Sequence, residues 1–399
     1  MIIYFALKDM SPATGYVTFE YEGVAEKDSI PTTDGCVEIV PRGGKLPTLA
    51  VFRSLGPYWS SVIDTFRARQ VHHCLHSELG DTSWWRKLVG RRNSDLMAGS
   101  GIKIGIIDVG FCASHSVSHV RCLDLEGEET EAGAVDFLSH GRIVASVLAA
   151  RVDGDTQGIA PGADVIAIDV SDRDDPHNPD YGKFAPAIDM LAYELGVDLI
   201  NISGGAFMHA DVVGNHEHTT QIAQAIADAR CRGTTIVAAV GNEDRDGAAI
   251  PAQLAGVVGV GSIGVSSVAP PGSLMEHMLG KAQNCGLMGR FGELEAFCVI
   301  DTAYGNGLDA VAPGIGVFVE DDLGILQEFE GTSFAAPIVT GVLACALGGD
   351  LEYRDKRGLE RAVYAEELLQ SLCKPLGLPV ERQGWGMPVL ALHSVDENV

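Results

Sequence analysis

Gly331-Thr332-Ser333-Phe334-Ala335-Ala336-Pro337 runs directly into Ile338-Val339-Thr340-Gly341-Val342-Leu343-Ala344, a small-residue stretch that is apolar almost all round. That pattern predicts a buried helix. Ser333 stands at its N-terminal end, where unpaired backbone N–H groups and the helix dipole favour developing negative charge. A serine hydroxyl alone is a weak nucleophile. It needs a base, an acid to orient that base, and donors for an oxyanion.

The rest of the chain offers these groups in order. Ile102-Lys103-Ile104-Gly105-Ile106-Ile107 reads as a buried strand ending on Asp108-Val109-Gly110. Ser139-His140-Gly141-Arg142-Ile143-Val144-Ala145 opens a helical run and sets His140 at its start. Thr235 to Ala239 reads as a strand that ends on Val240-Gly241-Asn242. Open α/β sheets place catalytic side chains at the carboxyl ends of their parallel strands. Taken singly, an Asp after a strand, a His on a helix and an Asn after Gly are turn formers or packed side chains. Their joint spacing carries the chemistry.

With these pieces, the chain resembles the subtilisin-like serine proteases (subtilases), in an intracellular form, across roughly residues 95–392. Further matching motifs are Gly158-Ile159-Ala160-Pro161-Gly162-Ala163, Leu199-Ile200-Asn201-Ile202-Ser203-Gly204-Gly205, Ala310-Val311-Ala312-Pro313-Gly314 and Gly384-Trp385-Gly386. The order Asp, His, Ser is that of subtilisin. The resemblance implies that Ser333 attacks a peptide carbonyl, His140 relays the proton, and Asp108 orients the imidazole. Asn242 would donate to the oxyanion beside a backbone N–H near Ser333. It also implies that substrate pairs in extended form along Ser203-Gly204-Gly205, with Gly241 and Glu243 on the pocket side. The opposite rim would come from Asp180-Tyr181-Gly182. Gly204 stands where a larger apolar residue is common in the family, which predicts an open subsite. Glu243 and Asp244 at the pocket mouth predict a modest preference for Lys or Arg before the scissile bond.

Two residues depart from the family pattern. Val109 stands where a Ser or Thr hydroxyl usually follows the aspartate, and Arg142 where Thr usually follows His-Gly. A cation aimed at His140 would disfavour the imidazolium. Two positions along a helix, however, Arg142 faces away from His140.

Composition bounds the remainder. The chain has 399 residues and a formal net charge of −26, which excludes a nucleic-acid binder built on clustered Lys and Arg and suits attraction of basic peptides. Met1 to Leu7 is apolar but has no basic flank or small-residue cleavage site, and no apolar run is long enough to span a membrane. Nine scattered cysteines without a CxxC pair suit buried thiols in a reducing compartment. The expected location is cytoplasmic.

Strand-like Asp164 to Val170, helix-like Ala185 to Leu195, strand-like Val197 to Ser203, helix-like Thr219 to Arg232 and strand-like Gly256 to Ile263 alternate as βαβ units do. The expected fold is therefore α/β, a three-layer parallel sheet flanked by helices. A catalytic domain over 81–392 would follow a small N-terminal α+β region over 1–80 and precede a tail at 393–399. In the N-terminal region, Tyr16 to Tyr21, Cys36 to Val40 and Thr48 to Phe52 read as strands. Trp59, Val62, Ile63, Phe66, Gln70 and Cys74 lie at helical spacing. This region is either a removable inhibitory prodomain or a permanent extension. Trp84-Trp85 on a short helix would pack it onto the core, and Val265 to Phe297 reads as a surface insertion.

The chemistry requires no cofactor and no catalytic metal. Structural calcium is common in the family; Asp124 to Glu131 and Asp172 to Asp175 have the right ligand types but no recognisable spacing. The function expected is a serine endopeptidase acting on peptide or protein substrates, including maturation of a dedicated precursor peptide. The alternatives are a peptide ligase or macrocyclase on the same fold, and an inactive peptide-binding scaffold.

Overall fold

Every residue of the strands Leu199–Ile202, Thr235–Ala239 and Val257–Val265 is buried, so both faces of the sheet they form are covered. They belong to a nine-stranded sheet in a computed structural model that describes the chain except residues 24–27, 68, 92–94, 112–114, 130–138, 153–155, 176–177, 207–214, 321–324 and 391–399. Across the sheet run Arg121–Leu123, Asp164–Asp169, Lys103–Asp108, Leu199–Ile202, Thr235–Ala239 and Val257–Val265, all parallel. Beyond Val257–Val265 the edge divides. Ala310–Pro313 pairs parallel with Val260 to Ile263, and Leu294–Cys298 pairs antiparallel with Ile263 to Val265.

The helix Thr332–Gly348 is buried along nearly its whole length. It packs on the central strands and against the helix His140–Ala149. Its small residues are required by this packing. A Cβ on Gly341 would lie 2.6 Å from Ile159 Cβ. Helices Phe184–Asp189 and Asn215–Arg232 pack together, the first continuing as a π-helical turn over Met190–Glu194. The expected α/β sheet and its helices are thus present. Among the described residues, no helix is long and apolar enough to cross a membrane.

The N-terminal region differs from expectation. Residues 59–74 form no helix. Tyr58–Trp59, Ser61–Ile63 and Arg69–His73 are strands, and among the described residues of the region the one helical element is the 3₁₀ turn Ser77–Leu79. Ser61–Ile63 completes an antiparallel sheet with Leu49–Ser54, Gly15–Glu20 and Asp28–Pro31, while Arg69–His73 pairs parallel with Ile2–Ala6. The helical spacing was coincidental. Val62, Ile63 and Val71 are β-branched, and the exposed strand edges of Leu49–Ser54 and Ile2–Ala6 satisfy their backbone groups. The three sequence-predicted strands at Tyr16, Cys36 and Thr48 are present.

Alternation along Leu49–Ser54 divides the side chains between two cores. Ala50 and Phe52 join Ile3, Phe5 and Val17 in a small N-terminal core, where the Phe5 and Phe52 rings stack at 4.2 Å. Leu49 and Val51 join Trp59, Trp84 and Trp85 in the core of the large domain. Trp84 Nε1 donates to the Gly316 carbonyl at 2.8 Å, so the tryptophan pair does pack the N-terminal region onto the core.

Val265 to Phe297 is not a surface insertion. It holds the helix Leu274–Asn284, with Leu274, Met275 and Ala282 buried, and the hairpin Met288–Phe291 and Leu294–Cys298 that widens the main sheet. Its leading turn also pairs with the N-terminal region: Leu274 N donates to Ser60 O at 2.7 Å, and Val62 N to Gly272 O at 3.1 Å. The tail at 393–399 lies outside the described residues.

Substituting Gly341→Ala should overpack the contact with Ile159 and lower stability by about 1–3 kcal/mol. Urea unfolding would show this as a reduced midpoint. An unchanged midpoint would mean that the two helices separate freely.

Candidate active site

Pro337 has no N–H, so it cannot bond the carbonyl four residues back, that of Ser333. The Ser203 hydroxyl donates to that carbonyl instead, at 2.8 Å. Ser203 in turn accepts from Asn201 Nδ2 at 2.9 Å, and Thr340 Oγ1 donates to Asn201 Oδ1 at 3.0 Å. Asn201 and Thr340 are both fully buried. A polar chain thus ties the Ser333 backbone to the end of Leu199–Ile202.

Asp108 ends its strand almost fully buried, with 3% of its surface exposed. Gly141 N donates to Val109 O at 2.7 Å, which joins the Asp108 turn to the start of the His140–Ala149 helix. His140 Nδ1 consequently donates to Asp108 Oδ1 at 2.6 Å. Burial of the ring acts to lower its pKa. The Asp108 carboxylate outweighs this, by charge and by hydrogen bond, and holds the imidazole above its ordinary value. The His140 and Phe334 rings lie 5.5 Å apart, with Phe329 5.5 Å beyond.

Asn242 is turned by Gly241, whose φ of 102° belongs to glycine. Its Oδ1 accepts from Thr332 N at 2.8 Å and from Thr332 Oγ1 at 3.1 Å. Engagement of the oxygen assigns the amide orientation and leaves Nδ2 as the available donor. Gly331, with φ 135°, allows the chain to enter the helix beside that amide; a Cβ there would sit 3.2 Å from Asn242 Nδ2.

Asp108, His140, Ser333 and Asn242 line one cleft of about 610 Å³ together with Ser203, Gly204, Gly205, Gly241 and Glu243. These nine residues are therefore gathered at one place, whereas Asp180, Gly182 and Asp244 are not among the cleft's lining residues. Tyr181 lines the facing wall and stacks on Phe184 at 5.2 Å. Space beside Gly204 is open: a Cβ there would meet only Phe184, at 4.0 Å.

The two departures also have structural consequences. Arg142 points away from His140, and its Nη1 donates to Glu320 O at 3.3 Å. Val109 gives Asp108 only its backbone N–H, at 2.7 Å to Oδ1, and Asp108 Oδ2 has no hydrogen-bond partner among the described residues. Asp244 is engaged by Arg382 Nη2 at 2.9 Å, and that guanidinium stacks on Tyr304. Glu243 is left as the mouth carboxylate, largely exposed and 3.9 Å from Arg245.

The calcium candidates are used as turn builders. Asp124 Oδ1 accepts from Glu126 N and Glu128 N, and Asp172 Oδ1 from Asp174 N and Asp175 N. Among the described residues, no three His, Cys, Asp or Glu side chains converge as a metal site; residues 130–131 of the first stretch lie outside the description.

Sequence reading missed Thr332, Thr340 and Asn201 as contributors. Pro337, four residues after Ser333, was the available signal for a carbonyl that needs an outside donor.

Comparison with known proteins shows the family and the fold. A thermophilic serine proteinase of Bacillus sp. (strain AK1) is 25% identical over 257 residues, 61% of this chain and 52% of that protein. The match therefore spans about half the length of that relative. The major intracellular serine protease of Bacillus subtilis (strain 168) is 26% identical over 314 residues, 75% of this chain and 83% of that protein. The crystal structure of the epidermin leader peptide processing serine protease EpiP from Staphylococcus aureus shares the fold, with a TM-score of 0.57, 20% identity, and coverage of 78% of this chain and 79% of that one. The family model of the subtilases matches residues 99–386. With the sheet, the cleft and this match in agreement, the chain belongs to the subtilase family of serine peptidases.

Proposed function

We propose that the protein is a serine endopeptidase that forms an acyl-enzyme on Ser333 and matures a dedicated precursor peptide. The observation that carries the chemistry is the 2.6 Å bond from His140 Nδ1 to Asp108 Oδ1, in a cleft that also holds Ser333 and Asn242. With Nδ1 committed to Asp108, Nε2 is the nitrogen that accepts the Ser333 proton as Oγ attacks the scissile carbonyl. His140 then returns that proton to the leaving amine, and water completes hydrolysis by the reverse route. Asn242 Nδ2 and the first-turn amide of Ser333 receive the oxyanion.

The substrate reading rests on cleft shape and on likeness. Substrate lies extended along Ser203-Gly204-Gly205, and the open space at Gly204 suits a bulky side chain. EpiP is described as a leader peptide processing protease, and a similar task is proposed for this chain. A cytoplasmic location is proposed with it. The described cysteines are all free, including exposed Cys231 and Cys285, as in a reducing compartment.

An activated fluorophosphonate should label Ser333. Ser333→Ala and His140→Ala should each abolish labelling and hydrolysis together, as read by mass spectrometry of protein and products. Labelling of the Ser333→Ala protein at another serine would overturn the assignment.

Asn242→Ala should lower kcat by roughly 10²–10³, the cost of losing subtilisin's own oxyanion asparagine, with KM little changed. A change confined to KM would give Asn242 a ground-state role instead.

His140 must be neutral to act as base, so activity rises with pH through its raised pKa. The acid limb of kcat/KM should therefore have its midpoint above about 6.5, the ordinary histidine value. A midpoint below that value would show that Asp108 does not stabilise the imidazolium.

Glu243 should favour Lys or Arg before the scissile bond by about 1 kcal/mol, or about fivefold in kcat/KM. A peptide-library profile unchanged in Glu243→Gln would show that the pocket walls alone decide specificity.

A further inference from the structure

The hairpin Val317–Glu320 and Leu326–Phe329 delivers the chain to Glu330, Gly331, Thr332 and Ser333. Its outer strand is held by the N-terminal region. Arg53 Nε donates to Glu330 Oε1 at 2.6 Å, and Arg53 Nη2 pairs with the same oxygen. Arg53 is itself fixed by Nη1 donating to Thr18 Oγ1 at 3.1 Å. Two residues earlier, buried Glu328 accepts from Ser60 N. Trp59, fully buried, meets the inner strand edge-on, 4.7 Å from the Phe318 ring. Among the described residues, none of those lining the cleft comes from residues 1–80.

We infer that the N-terminal β-region is a permanent part of the enzyme and that Arg53, acting through Glu330, is a positioning residue for the nucleophile turn. This rests on the serine peptidase reading above. An inhibitory segment must occupy or cover the cleft, and this one lies behind the nucleophile. Its removal would uncover the Trp59 site and leave Glu328 and Glu330, two carboxylates on one short segment, without Arg53 and Ser60. Burial, reinforced by the Glu330 charge, already pushes the Glu328 carboxyl up to about 8. Loss of the guanidinium would leave the Glu330 side chain, one residue before Gly331, without the donors that fix its direction. Charge alone is not the whole contact, because the guanidinium's fixed donors set the direction of Glu330 as well.

The test uses the full chain. Fluorophosphonate-labelled wild type should have the intact mass, and hydrolysis should proceed without N-terminal loss. Labelled protein found only in chains beginning after Ser60 would overturn the inference. Arg53→Gln should lower kcat by about 10–100-fold, the range that an ångström of misplacement costs, with KM little changed. Arg53→Lys, which keeps the charge, should recover part of that loss. A folded Arg53→Gln protein with wild-type kcat overturns the positioning role, as does one whose deficit lies only in thermal stability. Should Arg53→Gln fail to fold, Glu330→Gln carries the same expectation and the same contrary result. Wild type that does not label at Ser333 would overturn the peptidase reading itself. Labelled wild type beside unaltered Arg53→Gln and Glu330→Gln would overturn this inference alone.

Discussion

A proline four residues after Ser333 leaves the Ser333 carbonyl without its helical partner, and the site is built around supplying that partner. Ser203 satisfies Ser333 O, Asn201 holds Ser203, and Thr340 holds Asn201. Because an unpaired buried acceptor is costly, this chain locks the helix Thr332–Gly348 to the end of Leu199–Ile202. The strand end is also the edge along which substrate is proposed to lie. One hydrogen-bond requirement therefore sets Ser333 and the proposed substrate edge in a common frame.

The electrostatics follow from the same packing. Asp108 is carried into the protein by a strand buried along most of its length, and an isolated carboxylate there would be unfavourable. His140 lies against it because the two elements exchange backbone hydrogen bonds beside the side-chain contact. The hydroxyl missing at Val109 leaves Asp108 Oδ2 without a protein partner among the described residues, so more of the carboxylate's charge is directed at the imidazole. Arg142 does not oppose this, since its helical position carries it toward Glu320. The acidic mouth is weaker than the sequence suggests, because Arg382 answers Asp244.

The catalytic domain was legible because its elements have unambiguous periods. Ile104, Ile106 and Ile107 sit in an apolar run too short for a helix, and Thr332 to Leu347 is too apolar for an exposed one. Segments with two compatible periods misled. Trp59, Val62, Ile63 and Phe66 fit a helical face, yet Trp59 packs in the large core and Ile63 in the small one. Val265 to Phe297 read as a surface insertion, although the turn at its Gly272 is the bracket that pairs with Ser60 and Val62. Backbone partners from distant strands decided both cases, and no local pattern encodes them.

By itself, the sequence determined the chemistry-bearing residues and their order, because Asp, His, Asn and Ser each stand at a strand end or helix start whose geometry is local. It also determined that Ser333 O would need an outside donor, since Pro337 lacks an N–H. Only the tertiary structure decided who supplies it, where Arg142 and Asp244 point, and what the first 80 residues hold. Those outcomes depend on Arg53 meeting Glu330 and Arg382 meeting Asp244, contacts between residues 277 and 138 positions apart. Charge and hydrogen-bonding capacity are written in each residue; the partner is selected only when the sheet and its helices bring the two together.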